Sequence, residues 1–279
     1  MFHLALYMID FLNRDREAMK HEVDVLATNP TWGDGVLGYE ADTAGYDGQL
    51  AQARDFTRRA SMAAINAGKK QTAAAYVAEG AIREALLGNP NEAEREIKKA
   101  LALSGAKDIV AMSALAAGLA GDSVQATQLA KNLENTFQQD TVLQFNYLPT
   151  IRAALALHGG NPAKAVELLA PTTPYECGVT ALDDGLSFYP VYVRGEAYRA
   201  AKRGTAAAAE FQKILDHSGI VQNEPIGALA HLGLGRAYAL TADQQKSADD
   251  YREFLDLWNN ADPDVPVFKA AKAEYAKLQ

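Results

Sequence analysis

Gly195, Tyr198, Ala207 and Phe211 recur forty residues later as Gly235, Tyr238, Ser247 and Tyr251, with the same internal spacing of three, nine and four. Small, aromatic, small, aromatic at those offsets describes two antiparallel helices that approach closely at their small residues and pack rings beside them. A repeat of this length restricts a chain more than any single motif does. One unit cannot bury its apolar face alone, so units stack into an array, and arrays work mostly by surface recognition.

The unit around Gly195 has the tetratricopeptide (TPR) layout: a small residue at position 8, an aromatic at 11, a small residue at 20 and a bulky one at 24. Position-20 anchors can be placed along the whole chain at Ala18, Ala53, Ala93, Ala126, Ala165, Ala207 and Ser247. Asn13, Gly48, Gly88, Gly121 and Gly160 stand five residues before the first five anchors and mark the turns between helices. In Gly88-Asn89-Pro90 and Gly160-Asn161-Pro162 the proline suits a first helical position. No period-2 alternation lasts long enough to indicate a sheet.

These features predict an all-α, TPR-like solenoid of about seven helix-turn-helix pairs, forming a single array over 1–279. Units one to five occupy 1–170, an inserted loop 171–190, units six and seven 191–262, and a capping helix 266–278. A generic helical bundle is the alternative. In the last helix Phe268, Ala271, Tyr275 and Leu278 share one face and Lys269, Lys272 and Lys277 the other, as a cap over the final unit requires. The start is truncated by comparison. With Ala18 as anchor, position 3 falls on Met1, and Phe2, Leu4, Leu6 and Phe11 have no preceding unit to pack against. The expectation is a C-terminal piece of a longer array, against the alternative of a short native start with a frayed helix.

Composition excludes several function classes. A net charge of -8 argues against a nucleic-acid partner, whose phosphates need a basic footprint. Cys177 is the single cysteine, so no intramolecular disulfide can form. No stretch is long and apolar enough to be read as a membrane span. Phosphate-binding loops, dinucleotide fingerprints, H-E-x-x-H pairs and nucleophile elbows do not occur, and His3, His21, His158, His217 and His231 lack metal spacing. No cofactor is expected. Asp183-Asp184-Gly185 resembles a fragment of a calcium loop without its closing glutamate, and reads better as a solvated turn.

In TPR arrays, positions 2, 5, 9 and 12 of the first helix of each unit line the concave face. They map to Tyr189, Tyr192, Glu196 and Arg199 in unit six, to Leu229, Leu232, Arg236 and Ala239 in unit seven, and to Tyr147, Thr150, Ala154 and Leu157 in unit five. Tyrosine and arginine are favoured interface anchors. The candidate partner-binding residues are therefore Tyr189, Tyr192, Glu196, Arg199, Arg236 and Tyr147, with packing between units as the alternative role for Tyr192 and Arg199. The stretch from Pro171 to Pro190 is the least repetitive; its Tyr175, Phe188 and Tyr189 must either fill the gap between units or meet a partner.

Tyr189 to Tyr198, Ala208 to His217, Gly227 to His231, Tyr147 to Leu157, Asp262-Pro263-Asp264 and the closing Ala273 to Gln279 together resemble the C-terminal TPR region of bacterial serine/threonine protein kinases, especially the acidobacterial type. The likeness covers essentially the whole chain, loops included. It implies a protein-binding arm behind a kinase domain, often with a membrane span between the two. A related array follows winged-helix regulators. The kinase lysine, catalytic loop and magnesium-binding motif have no counterparts here, so phosphotransfer does not carry over.

Three functions compete: a non-catalytic protein-interaction scaffold or sensor array with a protein or peptide on its concave face; a small-molecule or peptide sensor centred near 171–190; and a helical enzyme using Glu196 or Glu176 as a base. The first is favoured. A cytoplasmic location goes with it, or an extracytoplasmic one if the array is tethered behind a membrane span.

Overall fold

One kind of turn builds most of this molecule. A residue with positive φ ends a helix, and the residue five positions on is buried in the next. The computed structural model describes residues 2–29, 31–178 and 186–278. Among these residues the fold is all-α, with no strand.

The helices pair in chain order: α1 (Phe2–Leu12) with α2 (Arg16–Leu26), α3 (Gly33–Tyr46) with α4 (Leu50–Asn66), α5 (Lys70–Leu86) with α6 (Pro90–Leu103), and α7 (Lys107–Ala120) with α8 (Ser123–Thr136). A π-helical turn at Leu143–Tyr147 leads into α9 (Leu148–His158), which pairs with α10 (Pro162–Leu168). Next come α11 (Tyr189–Ala200) with α12 (Gly204–Asp216), the short α13 (Ser218–Val221), α14 (Pro225–Leu240) with α15 (Gln244–Leu257), and α16 (Pro266–Tyr275). No helix among the described residues is long and apolar enough to cross a membrane.

The turns inside the pairs centre on Arg14, Gly48, Gly88, Gly121, Gly160, Lys202 and Ala242, with φ between 58° and 92°. After each, an amide donates back five residues, as in Gln49 N to Ala44 O (2.8 Å) and Asp243 N to Tyr238 O (3.1 Å), which satisfies a carbonyl at the helix end. Five positions on, Met19, Ala53, Ala93, Ala126, Ala165, Ala207 and Ser247 are all buried. In the first pair the turn falls on Arg14, not Asn13. The buried anchor is therefore Met19, and Ala18 is only partly buried.

The forty-residue echo is a close approach of helix to ring. A Cβ on Gly195 would lie 2.9 Å from the Phe211 ring, and one on Gly235 would lie 2.8 Å from the Tyr251 ring. Phe211 also reaches the next pair, where a Cβ on Gly233 would come within 2.7 Å of it. One aromatic thus joins two units.

The array bends until its end meets its beginning. Trp258 Nε1 donates to Tyr46 O (2.7 Å) at the end of α3. Asp262 N donates to Gly48 O (3.0 Å), and Ala51 N donates to Asp262 Oδ2 (2.6 Å). Val267 N reaches Leu87 O (3.4 Å). Asn223 Nδ2 donates to both Tyr39 O and Thr43 Oγ1, each at 3.0 Å. Trp258, Phe254, Val265 and Phe268 form one buried cluster with Leu50 and Leu87 from the second and third pairs. The capping helix therefore does more than cover α15, because the strap leading into it closes the array on itself. Phe268 and Ala271 are buried, Tyr275 and Leu278 partly so.

Candidate functional site

Burial decides which of the proposed groove residues a partner can reach. Tyr147 and Tyr189 are buried, as are Thr150, Leu229 and Leu232. The Tyr189 hydroxyl donates to Glu224 Oε2 (2.9 Å); burial first, then the Glu224 carboxylate, pushes its pKa far up and keeps it a protonated donor. Tyr147 and Tyr189 belong to the same core cluster, so neither offers its ring to a partner. The C-terminal ends of α5, α7 and α9 face α11 across an opening.

At that opening lies a cleft of about 410 Å³. Leu86, Leu119, Ala154 and Leu157 give it an apolar wall, and Tyr192, Glu196 and Arg199 a polar one. A second hollow of about 180 Å³ shares Arg199 and continues past Lys202 and Arg236. Four of the six candidates, Tyr192, Glu196, Arg199 and Arg236, are thus brought together at one mouth.

Their charges are matched inside the fold. Arg199 donates to Glu196 through Nε (3.2 Å) and Nη2 (2.6 Å). Arg236 grips Glu274 of α16 through Nε (2.8 Å) and Nη2 (3.0 Å), and the Tyr251 hydroxyl donates to the same carboxylate (2.8 Å). Burial alone would raise the Glu274 carboxyl, but Arg236 outweighs it and holds the group below its usual range. Arg236 is thus tied to the cap as well as facing the mouth. Burial and the nearby Glu196 carboxylate push the Tyr192 phenol up, so it too remains a donor.

The inserted segment is anchored by a buried ion cluster that no local motif announces. Glu176 is fully buried and accepts from Arg194 and Lys213 and from Thr172 Oγ1 (3.2 Å). Arg194 Nη2 extends to Glu210 (2.6 Å). Burial would raise the Glu176 carboxyl; the two cations override that and hold it low, which is the wrong direction for a general base. Phe188 and Tyr189 are buried, whereas Tyr175 stays exposed beside Phe145, ring centroids 5.7 Å apart. Cys177 is exposed. Asp183-Asp184-Gly185 lies outside the described residues. No group of His, Cys, Asp or Glu among the described residues is placed to hold a metal ion.

A larger cavity, of about 700 Å³, has no counterpart in the sequence pattern. It lies where the first pair faces the sixth and seventh, between Leu12 and Arg14 on one side and Leu215, His231 and Leu257 on the other. Only closure brings these walls together.

No protein-family model matches the chain, and neither does a curated protein. Among solved structures the chain is similar to the TPR domain of P58(IPK), at 11% identity over 99% of this chain and 88% of that one, with a TM-score of 0.35. So loose a superposition carries no functional argument. The all-α, TPR-like character of this fold rests on its own repeated turns and helix pairs.

Proposed function

We propose that this chain is a non-catalytic protein-interaction array that takes a segment of its partner at the mouth formed by Tyr192, Glu196, Arg199 and Arg236. The observation that carries this reading is the cleft itself, an apolar wall opposite a tyrosine and an arginine, with a second arginine in the adjoining hollow. Such a site suits an apolar partner side chain against Leu86 and Leu157, with a partner carboxylate competing with Glu196 for the Arg199 fork. The commitment of Glu176 and Glu196 to cations supports the non-catalytic reading over the helical enzyme. The sequence likeness to the TPR region of bacterial serine/threonine kinases supports a place in a signalling protein, fused to a kinase domain or acting beside one.

The test is capture of partners by the intact chain, followed by titration of a captured partner against Tyr192→Ala and Arg199→Ala. Each variant, folded by circular dichroism, is expected to weaken binding about tenfold or more. Undiminished binding by both variants refutes the placement.

A second reading, a small-molecule or short-peptide sensor, is favoured by the size of the cleft, since about 300–1,000 Å³ is usual for such pockets. It predicts a ligand-dependent rise in melting temperature that Tyr192→Ala removes.

A further inference from the structure

Two opposite charges in the larger cavity have no partner in the fold. The first two pairs bring their turn ends to it, around Arg14 and Gln49, and α12 to α15 with the strap face them. Arg16 is committed to Asp47, donating through Nη2 to both carboxylate oxygens (2.8 and 2.7 Å). His231, on the facing side, lies with Nδ1 3.8 Å from Asp250. Arg14 and Asp256 are left over. Among the described residues Arg14 has no carboxylate at ion-pair distance and Asp256 no cation, although both line the same space from opposite sides.

The neutral polar groups of the cavity are equally uncommitted. The carboxamides of Gln49, Gln222, Asn259 and Asn260 line it and make no hydrogen bond to another described residue. Each offers a donor and an acceptor, the two functions that a peptide group also presents. Phe11, Leu215 and Leu257 add apolar surface. At about 700 Å³ the space lies within the usual range of a ligand pocket, about 300–1,000 Å³, and is larger than a single amino acid.

We propose that this cavity binds a short apolar peptide with free ends, its carboxylate at Arg14 and its ammonium at Asp256. The Arg14 guanidinium offers a terminal carboxylate a two-pronged donor, and Asp256 accepts from the ammonium. The carboxamides meet the peptide groups between the two ends, and Phe11, Leu215 and Leu257 take aliphatic side chains. A ligand of one charge matches only one of the two unpaired groups, whereas a dipolar chain matches both. The site is separate from the mouth at Tyr192 and Arg199. Its walls come from both ends of the array, so an occupant ties those ends together and peptide binding is coupled to closure.

Isothermal titration calorimetry of the intact chain with Leu-Leu and Leu-Ala-Leu tests this. At least one of the two is expected to bind with a Kd of about 10–100 μM and to raise the melting temperature. Arg14→Gln and Asp256→Asn, both at exposed side chains, are each expected to weaken binding about fivefold or more. Amidating the carboxyl end of the peptide is expected to weaken binding to the unsubstituted chain by a similar factor, and to Arg14→Gln not at all. Acetylating the amino end is expected to do the same with respect to Asp256→Asn. Matching circular dichroism spectra and melting temperatures of the unliganded variants exclude misfolding as the cause. Tyr192→Ala is expected to leave the titration unchanged, so failure here leaves the mouth assignment untouched. No binding of either peptide up to about 5 mM, binding that survives either charge substitution, or binding lost in Tyr192→Ala overturns the proposal.

Discussion

Gly48 and Gly68 make the same turn with almost the same backbone, φ 73° and 76°, yet only one of them meets the closing strap. A Cβ on Gly48 would lie 2.6 Å from Trp258 and 2.7 Å from the Ala261 Cβ, whereas one on Gly68 would meet nothing within 4 Å. Substituting alanine at Gly68 therefore measures the backbone cost alone. A left-handed conformation costs a non-glycine residue about 1–2 kcal/mol, offset by about 0.4–1 kcal/mol from the stiffer unfolded chain, so Gly68→Ala is expected to destabilise by about 1 kcal/mol. Gly48→Ala carries the same term plus a steric one. Carbon atoms pack at about 3.5–4.0 Å, so the strap must retreat by about 1 Å. That displacement loosens the Trp258–Tyr46 and Asp262–Gly48 hydrogen bonds and opens the packing around Trp258. At about 1 kcal/mol for each bond, with a packing loss of similar size, the excess over Gly68→Ala is expected to be about 2–3 kcal/mol. Urea denaturation followed by circular dichroism gives both values. Equal destabilisation by the two substitutions would refute the closing contact.

Other consequences follow from the packing and the buried charges. Phe211→Ala removes a fully buried ring that serves two units, and thermal unfolding is expected to show a loss of about 3–5 kcal/mol. The Glu176 carboxyl is held below its ordinary value of 4.5, so its stabilising contribution is complete above that pH and is lost as pH falls through the lower, folded-state value. Glu176→Gln is accordingly expected to lower stability near neutral pH and to flatten the decline in stability below about pH 4.5, as read from denaturation midpoints across pH.

The units were legible because their signals are local. Gly195 with Phe211 and Gly235 with Tyr251 are separated by sixteen residues, and the spacing itself states which helix touches which. Glycine marks four of the seven turns inside the pairs, but Arg14, Lys202 and Ala242 adopt the same backbone without any such signature. That is why the first pair is displaced by one residue, from Ala18 to Met19. Closure left no local trace. Trp258 and Tyr46 are 212 positions apart, and neither motif nor period connects them. The groove inferred from positions 2, 5, 9 and 12 assumed an open concave face; Tyr189 and Tyr147 instead lie in the main core between successive units, and Tyr192, Glu196, Arg199 and Arg236 stand at the mouth. Glu176 escaped for a related reason, its cations lying 18 and 37 residues away.

Whether the array is closed is settled most directly by a distance. Spin labels at Gln52→Cys and Asn260→Cys, in a Cys177→Ser background, lie on exposed positions either side of the joint between Ala51 and Asp262. Closure predicts one population of distances below about 30 Å. An open stack, with five steps of about 10 Å from the second pair to the seventh, would place them about 50 Å apart and contradict the account.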